Sequence, residues 1–333
     1  MQNMKLKEVQ EGESVFLVPD VSKPEDGCVF YNPDQAVSRD MSILVYKSHD
    51  YDVLDSMAAS GARAIRLAKN GVLVVANDFS TDALDLMKKN ASANAVDFEI
   101  TNREARKLLH ERKFAAVDID PFGSPAPFIH CALHSALKLI GVAATDTPAL
   151  TGTYPRVSRR RYGFQAKKLS NYPEVGVRAL AGFVVREAAK LEIAARPVFA
   201  HAYRHYYRVY FDLKKGAKRT DKILGELGDY QGVGPIYMGN LWDKPLIQKM
   251  MKHKIEFGHP QTKKHIELIK EEADYPLPYH NLHGICKELK ISPPPMVDVL
   301  RETDGVRTHF APTGFRSAKS WDEVRQIISL LKF

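Results

Sequence analysis

Tyr51-Asp52-Val53-Leu54-Asp55-Ser56-Met57-Ala58-Ala59-Ser60-Gly61-Ala62-Arg63-Ala64-Ile65-Arg66 is the stretch on which the fold turns. It opens as a short strand ending on an acid, passes through a turn of small residues, and enters a helix predicted to run to about Lys69. The apolar, β-branched run over 71–76 then reads as a buried strand ending at Asn77-Asp78. Residues 81–93 have helical spacing, with Ala83, Leu84, Leu86 and Met87 on one side. Further strands are predicted over 98–100, 114–119 and 141–145, and further helices over 103–112 and 128–139. This alternation predicts an α/β domain with a parallel, doubly wound sheet and helices on both faces. Right-handed crossovers place the C-terminal strand ends on one edge, where ligands bind in such sheets. Asp55, Asp78, Glu104 and Asp120 all fall at or just beyond that edge.

Outward from this block, residues 1–40 read as an irregular lead-in with turns at Lys23-Pro24-Glu25-Asp26-Gly27 and Tyr31-Asn32-Pro33-Asp34. An Ala-rich helix is expected over 174–195. Two apolar and aromatic runs around Arg204-His205, within 198–213, read as a β-hairpin. A hairpin closing a five-strand parallel sheet fits the seven-strand, Rossmann-like (class I) methyltransferase architecture, whereas a dehydrogenase more often ends on parallel strands. Residues 225–241 are glycine-rich and read as a connection, and from Asp243 the pattern changes to helices and short strands. The expected organisation is therefore a methyltransferase domain over 1–232 and a smaller α+β domain over 233–333.

At 333 residues the chain exceeds the length of one typical domain. No apolar run approaches the ~20 residues of a membrane span, and no signal-peptide core follows Met1, so the expectation is a cytoplasmic protein without a membrane partner. The formal charge of +8 favours a polyanionic partner, because Lys and Arg release counterions from phosphates. Three distant cysteines, Cys28, Cys131 and Cys286, form no CxxC pair and read as buried free thiols rather than a zinc or disulfide framework.

The turn Asp55–Arg63 lacks GxGxxG, the pattern that lets backbone approach a pyrophosphate. A cofactor without phosphates, such as S-adenosylmethionine, accepts one glycine and small residues there. Asp78 stands where an acid accepts hydrogen bonds from ribose hydroxyls. Glu104-Ala105 would lie near an adenine, or Glu104 is a surface acid at a helix N-terminus. Arg39 is suited to a bidentate pair with an amino-acid carboxylate.

The chemistry concentrates in Asp118-Ile119-Asp120-Pro121-Phe122-Gly123-Ser124-Pro125. Pro121 fixes its own φ and holds Asp120 extended. A carboxylate aimed out of the sheet edge suits an exocyclic amine, a poor nucleophile because its lone pair is delocalised into the ring. Hydrogen bonds to the acid steer the nitrogen towards sp³ character, and the acid takes the proton as positive charge develops. Phe122 is placed to stack on a base taken out of its helix. Phe30-Tyr31-Asn32-Pro33 offers the opposite wall, or packs in the core.

In combination these residues resemble the tRNA guanine-26 N2-dimethyltransferases in an archaeal-type short form. The resemblance extends over Phe30–Pro33 with Ser38-Arg39-Asp40, Leu54–Arg66, Asn77-Asp78, Asp120–Pro125, Ala144-Thr145-Asp146, Pro155-Arg156, His205–Val209 and Arg307–Gly314. It implies that Arg39, Arg63, Asp78, Glu104 and Ala105 contact S-adenosylmethionine and that Asp120 is the catalytic acid. It also implies that Phe30, Pro121 and Phe122 flank the base, and that two methyl groups are added in successive transfers. The family usually has Asp at the position of Glu104. A cysteine-rich metal insertion found in some members is absent, so no metal is expected. Arg156, Arg159, Arg160 and Arg161, with Lys167 and Lys168, form a basic run beside the active edge, read as a tRNA phosphate contact or as a solvated face. His253, His259 and His265 have no metal-binding spacing and read as surface or RNA-facing. Arg307-Thr308-His309-Phe310 reads either as an RNA contact or as a strand of the small core. No obligate protein partner is evident. The competing readings are an amine methyltransferase acting on another RNA or DNA base, and an RNA-binding module with a degenerate cofactor fold. The intact Asp120-Pro121-Phe122 speaks against the second.

Overall fold

The structure, a computed structural model, describes residues 5–21, 23, 28–275 and 278–331. The turn expected at 23–27 lies outside the described residues except for Lys23. The lead-in is not irregular. It folds as an antiparallel hairpin, β1 (Leu6–Glu11) and β2 (Ser14–Pro19), and then as helix α1 (Ala36–His49). Phe16 and Val18 turn inward from β2, while β1 exposes Lys7, Glu8 and Gln10 and so shows no strong apolar alternation.

The alternating block folds as predicted. Strands β3 (Val53–Asp55), β4 (Val74–Asn77), β5 (Glu99–Thr101), β6 (Phe114–Ile119) and β7 (Ala136–Ala144) alternate with α2 (Ala62–Lys69), α3 (Thr81–Ala93), α4 (Ala105–Glu111) and α5 (Ala126–Ser135). The last helix ends four residues earlier, and its strand starts five residues earlier, than the sequence indicates. Ser135 Oγ closes α5 by donating to the Arg112 carbonyl at 2.8 Å, and Ala136 already pairs with Phe114. Then come α6 (Thr147–Leu150), α7 (Pro155–Tyr162), the long α8 (Tyr172–Ala189) and the hairpin β8 (Ile193–Tyr203) with β9 (Tyr206–Lys215).

The seven strands order as β5-β4-β3-β6-β7-β9-β8. The first five are parallel, β9 runs antiparallel beside β7, and β8 pairs antiparallel with β9. The chain steps outward from β3 to β5 and then returns to the other side of β3 with β6. Between β3 and β6 lies the topological switch point, where a crevice opens beyond the strand ends.

Residues 225–241, expected as a connection, contain a hairpin of β10 (Leu227–Tyr230) and β11 (Val233–Tyr237), preceded by α9 (Ala217–Leu224). Helices α10 (Lys244–Lys252) and α11 (Thr262–Glu272) follow. Leu246, Ile247, Met250, Ile266 and Ile269 join the same buried core as the sheet, and α10 lies along α1. A separate small core is built by Leu282, Ile285, Cys286, Val299, Phe315, Val324 and Ile328. Its elements are β12 (His280–Asn281), α12 (Leu282–Leu289), α13 (Met296–Thr303), β13 (Val306–Arg307), β14 (Gly314–Arg316) and α14 (Trp321–Leu330). Cys131 and Cys286 are buried, but Cys28 is exposed, contrary to the expectation for all three thiols. Among the described residues no helix is long and apolar enough to cross a membrane.

The hairpin is attached to the sheet domain by two amides one helical turn apart on α3. Asn90 Oδ1 accepts from Leu17 N at 2.7 Å, and its Nδ2 donates to the carbonyls of Leu17 and Ser60, each at 3.0 Å. Asn94 repeats the pairing on Val15. Each amide stands in for a neighbouring strand along the edge of β2. Asn90→Ala leaves buried backbone groups unpaired and is expected to lower unfolding stability by about 2–4 kcal/mol in denaturant titration, since an unsatisfied buried group costs about 1–3 kcal/mol. A loss below about 1 kcal/mol would show that the amide is dispensable.

Candidate active site

Three strand ends and the segments that leave them build the site. At the end of β3, Asp55 is buried, and Ser56 Oγ donates to the Asp118 carbonyl at 2.6 Å, tying β3 to β6. The chain then turns through Met57–Gly61. Gly61 takes φ +80°, and a Cβ there would come within 2.6 Å of Met87 Cγ, so the position requires glycine on both counts. At the end of β4, Asp78 Oδ2 accepts from Ala59 N at 2.9 Å and Oδ1 accepts from Ser80 N at 3.0 Å. These bonds fix the carboxylate and leave each oxygen a free lone pair.

Beyond β6 the chain makes the corner Asp120-Pro121-Phe122-Gly123. Gly123 N donates to Thr145 Oγ1 at 2.9 Å, and Thr145 N donates back to the Gly123 carbonyl at 2.9 Å, so the corner is fastened to the end of β7. Phe122 is 77% exposed, and its ring meets Phe30 edge-on with centroids 5.8 Å apart. The two rings form an aromatic wall beside the Asp120 carboxylate.

Behind the corner lies a buried charge cluster. Arg63, in the first turn of α2, has Nη2 in contact with Asp120 Oδ2, Nη1 donating to Ser42 Oγ at 2.5 Å, and Nε 3.7 Å from Asp118 Oδ1. Arg208 on β9 is fully buried. Its Nη2 contacts Asp118 Oδ2, and its Nε donates to Tyr210 Oη at 2.6 Å. Tyr46 of α1 donates to Asp118 Oδ2 at 2.7 Å. Burial raises the Asp55 carboxyl to about 7; Arg63 pulls it down, and the charges of Asp118 and Asp120 push it up again. Asp55 Oδ2 has no hydrogen-bond partner.

In front of this cluster, at the switch point, lies a cavity of ≈ 860 Å³, within the range of small-molecule sites. Arg39, Arg63, Asp78, Phe30, Asp120, Pro121 and Phe122 all line it, together with Asp55, Phe79 and Tyr206. Glu104 and Ala105 do not line it. Glu104 caps α4, accepting from Lys107 N at 3.1 Å and from Arg106 Nε at 2.9 Å, as the surface reading of this acid anticipated. Arg39 reaches the cavity wall but carries a partner the sequence did not reveal. Glu11 of the hairpin accepts its Nε at 2.9 Å and also binds Tyr31 and Arg66. Burial alone would raise the Glu11 carboxyl, but Arg39, Tyr31 and Arg66 together more than offset it and hold Glu11 below the usual range.

Arg156, Arg159, Arg160 and Arg161 are exposed on α7, away from the cavity lining. The helix is nevertheless linked to the corner. Arg161 donates to Asp146 at 2.6 Å, Tyr162 donates to Asp146 at 2.5 Å, and Tyr162 Oη lies 2.7 Å from Ser124 Oγ. Among the three histidines read as surface or RNA-facing, His265 is buried, with its ring 4.7 Å from that of His309. Thr308 and His309 are also interior, both bound to Glu272.

A seven-strand α/β sheet with an antiparallel hairpin last, a small-residue turn and an acid-Pro-Phe corner together define a class I methyltransferase. A family model described as N2,N2-dimethylguanosine tRNA methyltransferase matches residues 12–232 and 227–329. The chain is 36% identical to the tRNA (guanine(26)-N(2))-dimethyltransferase of Methanocaldococcus jannaschii, with 96% of this chain and 98% of that protein covered. It is 32% identical to the enzyme of that description from Saccharolobus solfataricus, over 99% and 100% of the two chains. A solved structure of Trm1 from Pyrococcus horikoshii with S-adenosyl-L-methionine matches with TM-score 0.89 and 31% identity, over 97% of this chain and 100% of that one. This chain belongs to the N2,N2-dimethylguanosine tRNA methyltransferase family.

Proposed function

We propose that this chain methylates the N2 amine of guanine at position 26 of tRNA, twice in succession, with S-adenosylmethionine as donor. The observation that carries this reading is the corner itself: Asp120, fastened in place by Thr145 and Gly123, opens onto the Phe30–Phe122 pair on one side and the Asp55–Arg63–Asp78 turn on the other.

The residues present fit the donor. Arg39 and Arg63 would offer guanidinium to its carboxylate, Asp55 in the cavity lining would offer negative charge to its cationic groups, and Asp78 would offer two lone pairs to the ribose. Phe79, next to Asp78 in the cavity lining, would lie beside the adenine. Glu104 and Ala105 stand beyond it, on a segment tied in by Asn102 Nδ2 donating to the Asp78 carbonyl at 2.9 Å. When bound, the donor supplies an electrophilic methyl group on a sulfonium. Phe122 and Phe30 hold the flipped guanine. Asp120 accepts a hydrogen bond from its N2 amine and so draws the lone pair out of conjugation. Asp120 would take the proton that nitrogen loses on gaining the methyl group, the bond broken being that between the methyl carbon and the sulfonium sulfur. The monomethylated amine keeps one N–H, so the same carboxylate serves the second transfer.

The exposed arginines of α7 contact tRNA phosphates beside the pocket, and the lysines of 233–333, such as Lys249, Lys252, Lys263 and Lys264, extend that surface over the remainder of the tRNA. The cytoplasm is the place of action this substrate implies.

Incubation with labelled S-adenosylmethionine and unmodified tRNA, followed by nucleoside analysis, tests the reading. N2,N2-dimethylguanosine at position 26 is expected, and product confined to another position, or none, overturns it. Asp120→Ala is expected to lower kcat by about 10²-fold or more, within the span of general-base contributions, with donor affinity largely kept. Near-normal turnover would remove Asp120 from the mechanism. Arg159→Ala combined with Arg160→Ala should weaken tRNA binding and reduce the slope of log K against log salt by about 1–2, for one or two lost phosphate contacts. An unchanged slope would make this face a solvated one.

A further inference from the structure

Asp120 has a second cation within reach, one that the family resemblance does not assign. Arg208 Nη1 lies 3.5 Å from Asp120 Oδ2. Arg208 is fully buried and does not line the cavity, so it touches no ligand there. Its other nitrogens are committed. Nη2 is bound to Asp118, itself held by Tyr46, and Nε donates to Tyr210, whose hydroxyl lies 2.9 Å from Ser42 Oγ. Nη1 alone has no hydrogen bond. A buried guanidinium N–H left unpaired is costly, and a carboxylate oxygen of Asp120 lies 3.5 Å from it across an ion pair.

Arg63 now occupies that same oxygen, yet Arg63 also lines the donor end of the cavity. Its guanidinium cannot pair fully with both Asp120 and a donor carboxylate. From this juxtaposition we infer that Arg208 is a positioning residue for Asp120: it takes over Oδ2 through Nη1 when Arg63 turns to the donor. It thereby holds the carboxylate in place and leaves Oδ1 to face the amine. The inference rests on the methyl-transfer reading given above. Its electrostatic basis is local. The cluster holds Asp55, Asp118 and Asp120 against Arg63 and Arg208. Without Arg208, the buried Asp55 and Asp118 and the part-buried Asp120 would share a single guanidinium, and like charges at such spacing favour proton uptake. A protonated Asp120 cannot accept the amine proton.

The test uses the full-length enzyme with Arg208→Met, Arg208→Lys and Tyr210→Phe, measuring kcat, KM for donor and for tRNA, and the pH profile of kcat/KM from 5 to 9. Arg208→Met is expected to lose at least about 30-fold in kcat, with both KM values within about threefold of wild type, and its acidic limb should move to higher pH by about one unit or more. Arg208→Lys restores the charge but not the fork. Its acidic limb should return towards the wild-type position while kcat remains below wild type. Tyr210→Phe, which removes the acceptor that orients Nε together with its contact to Ser42 Oγ, should lower kcat severalfold. A purely structural role would reduce the folded fraction in these variants without moving the pH limb. If Arg208→Met does not fold, the other two variants decide. Wild-type kcat and an unmoved acidic limb in whichever variants fold overturn the inference. A wild-type enzyme that makes no methylated tRNA in the same assay overturns instead the functional reading beneath it.

Discussion

Three carboxylates held against two guanidiniums at the C-terminal edge of the sheet are the constraint to which the rest of the site conforms. Asp55 comes from the end of β3, Asp118 from β6, Asp120 from the corner, Arg63 from α2 and Arg208 from β9. Side chains from across the chain meet there, so the sheet order, the last hairpin and α1 must all be in place before the charges can be satisfied. Taking ions out of water is expensive, and only tight geometry and additional hydrogen bonds repay it. Tyr46, Tyr210 and Ser42 supply those bonds. The same cluster positions the two functions of the cavity. Asp55 and Asp120 both line the cavity, and Asp120 stands beside the aromatic wall of Phe30 and Phe122.

The hairpin β1–β2 performs the corresponding task at the other rim. Glu11 collects Arg39, Arg66 and Tyr31, and Arg66 Nη2 also lies 2.6 Å from Asp40 Oδ1. Arg39 therefore faces the cavity from a fixed pair rather than as a free side chain, which narrows its rotamer choice. On the substrate side, the chain Ser124–Tyr162–Asp146–Arg161 links the catalytic corner to the basic helix. The exposed arginines of α7 and the ring of Phe122 are thus carried by segments joined through one chain of side-chain hydrogen bonds.

Much of this was legible in the sequence, for a physical reason. Parallel strands buried on both faces must be continuous apolar runs, so β6 and α3 were readable to the residue. The corner was legible because Asp-Pro-Phe-Gly constrains its own backbone. What escaped was carried by long-range pairing. The hairpin has one exposed strand and little alternation, and its register depends on Asn90 and Asn94, some 75 residues away in sequence. Arg208 sits within the apolar run Tyr206–Val209. A charge in the middle of a buried strand was the available signal, and its partner Asp118 was readable only as one of two acids beside the corner. Glu104 failed to reach the cavity because an acid at a helix start satisfies its own backbone N–H groups locally.

The central claim is that the buried cluster holds one carboxylate more than its guanidiniums neutralise and offers it to the cationic donor. Calorimetric titration with S-adenosylmethionine at pH 6, 7 and 8, in buffers of different ionisation enthalpy, tests it most directly. Asp55, raised to about 7 by burial, is mostly protonated at pH 6 and mostly ionised at pH 8. A cation binds the ionised form more tightly, so affinity should rise by up to about tenfold across that window with release of protons near pH 7, and Asp55→Asn should abolish both. Affinity that is flat with pH, or a pH dependence that survives in Asp55→Asn, would contradict the account.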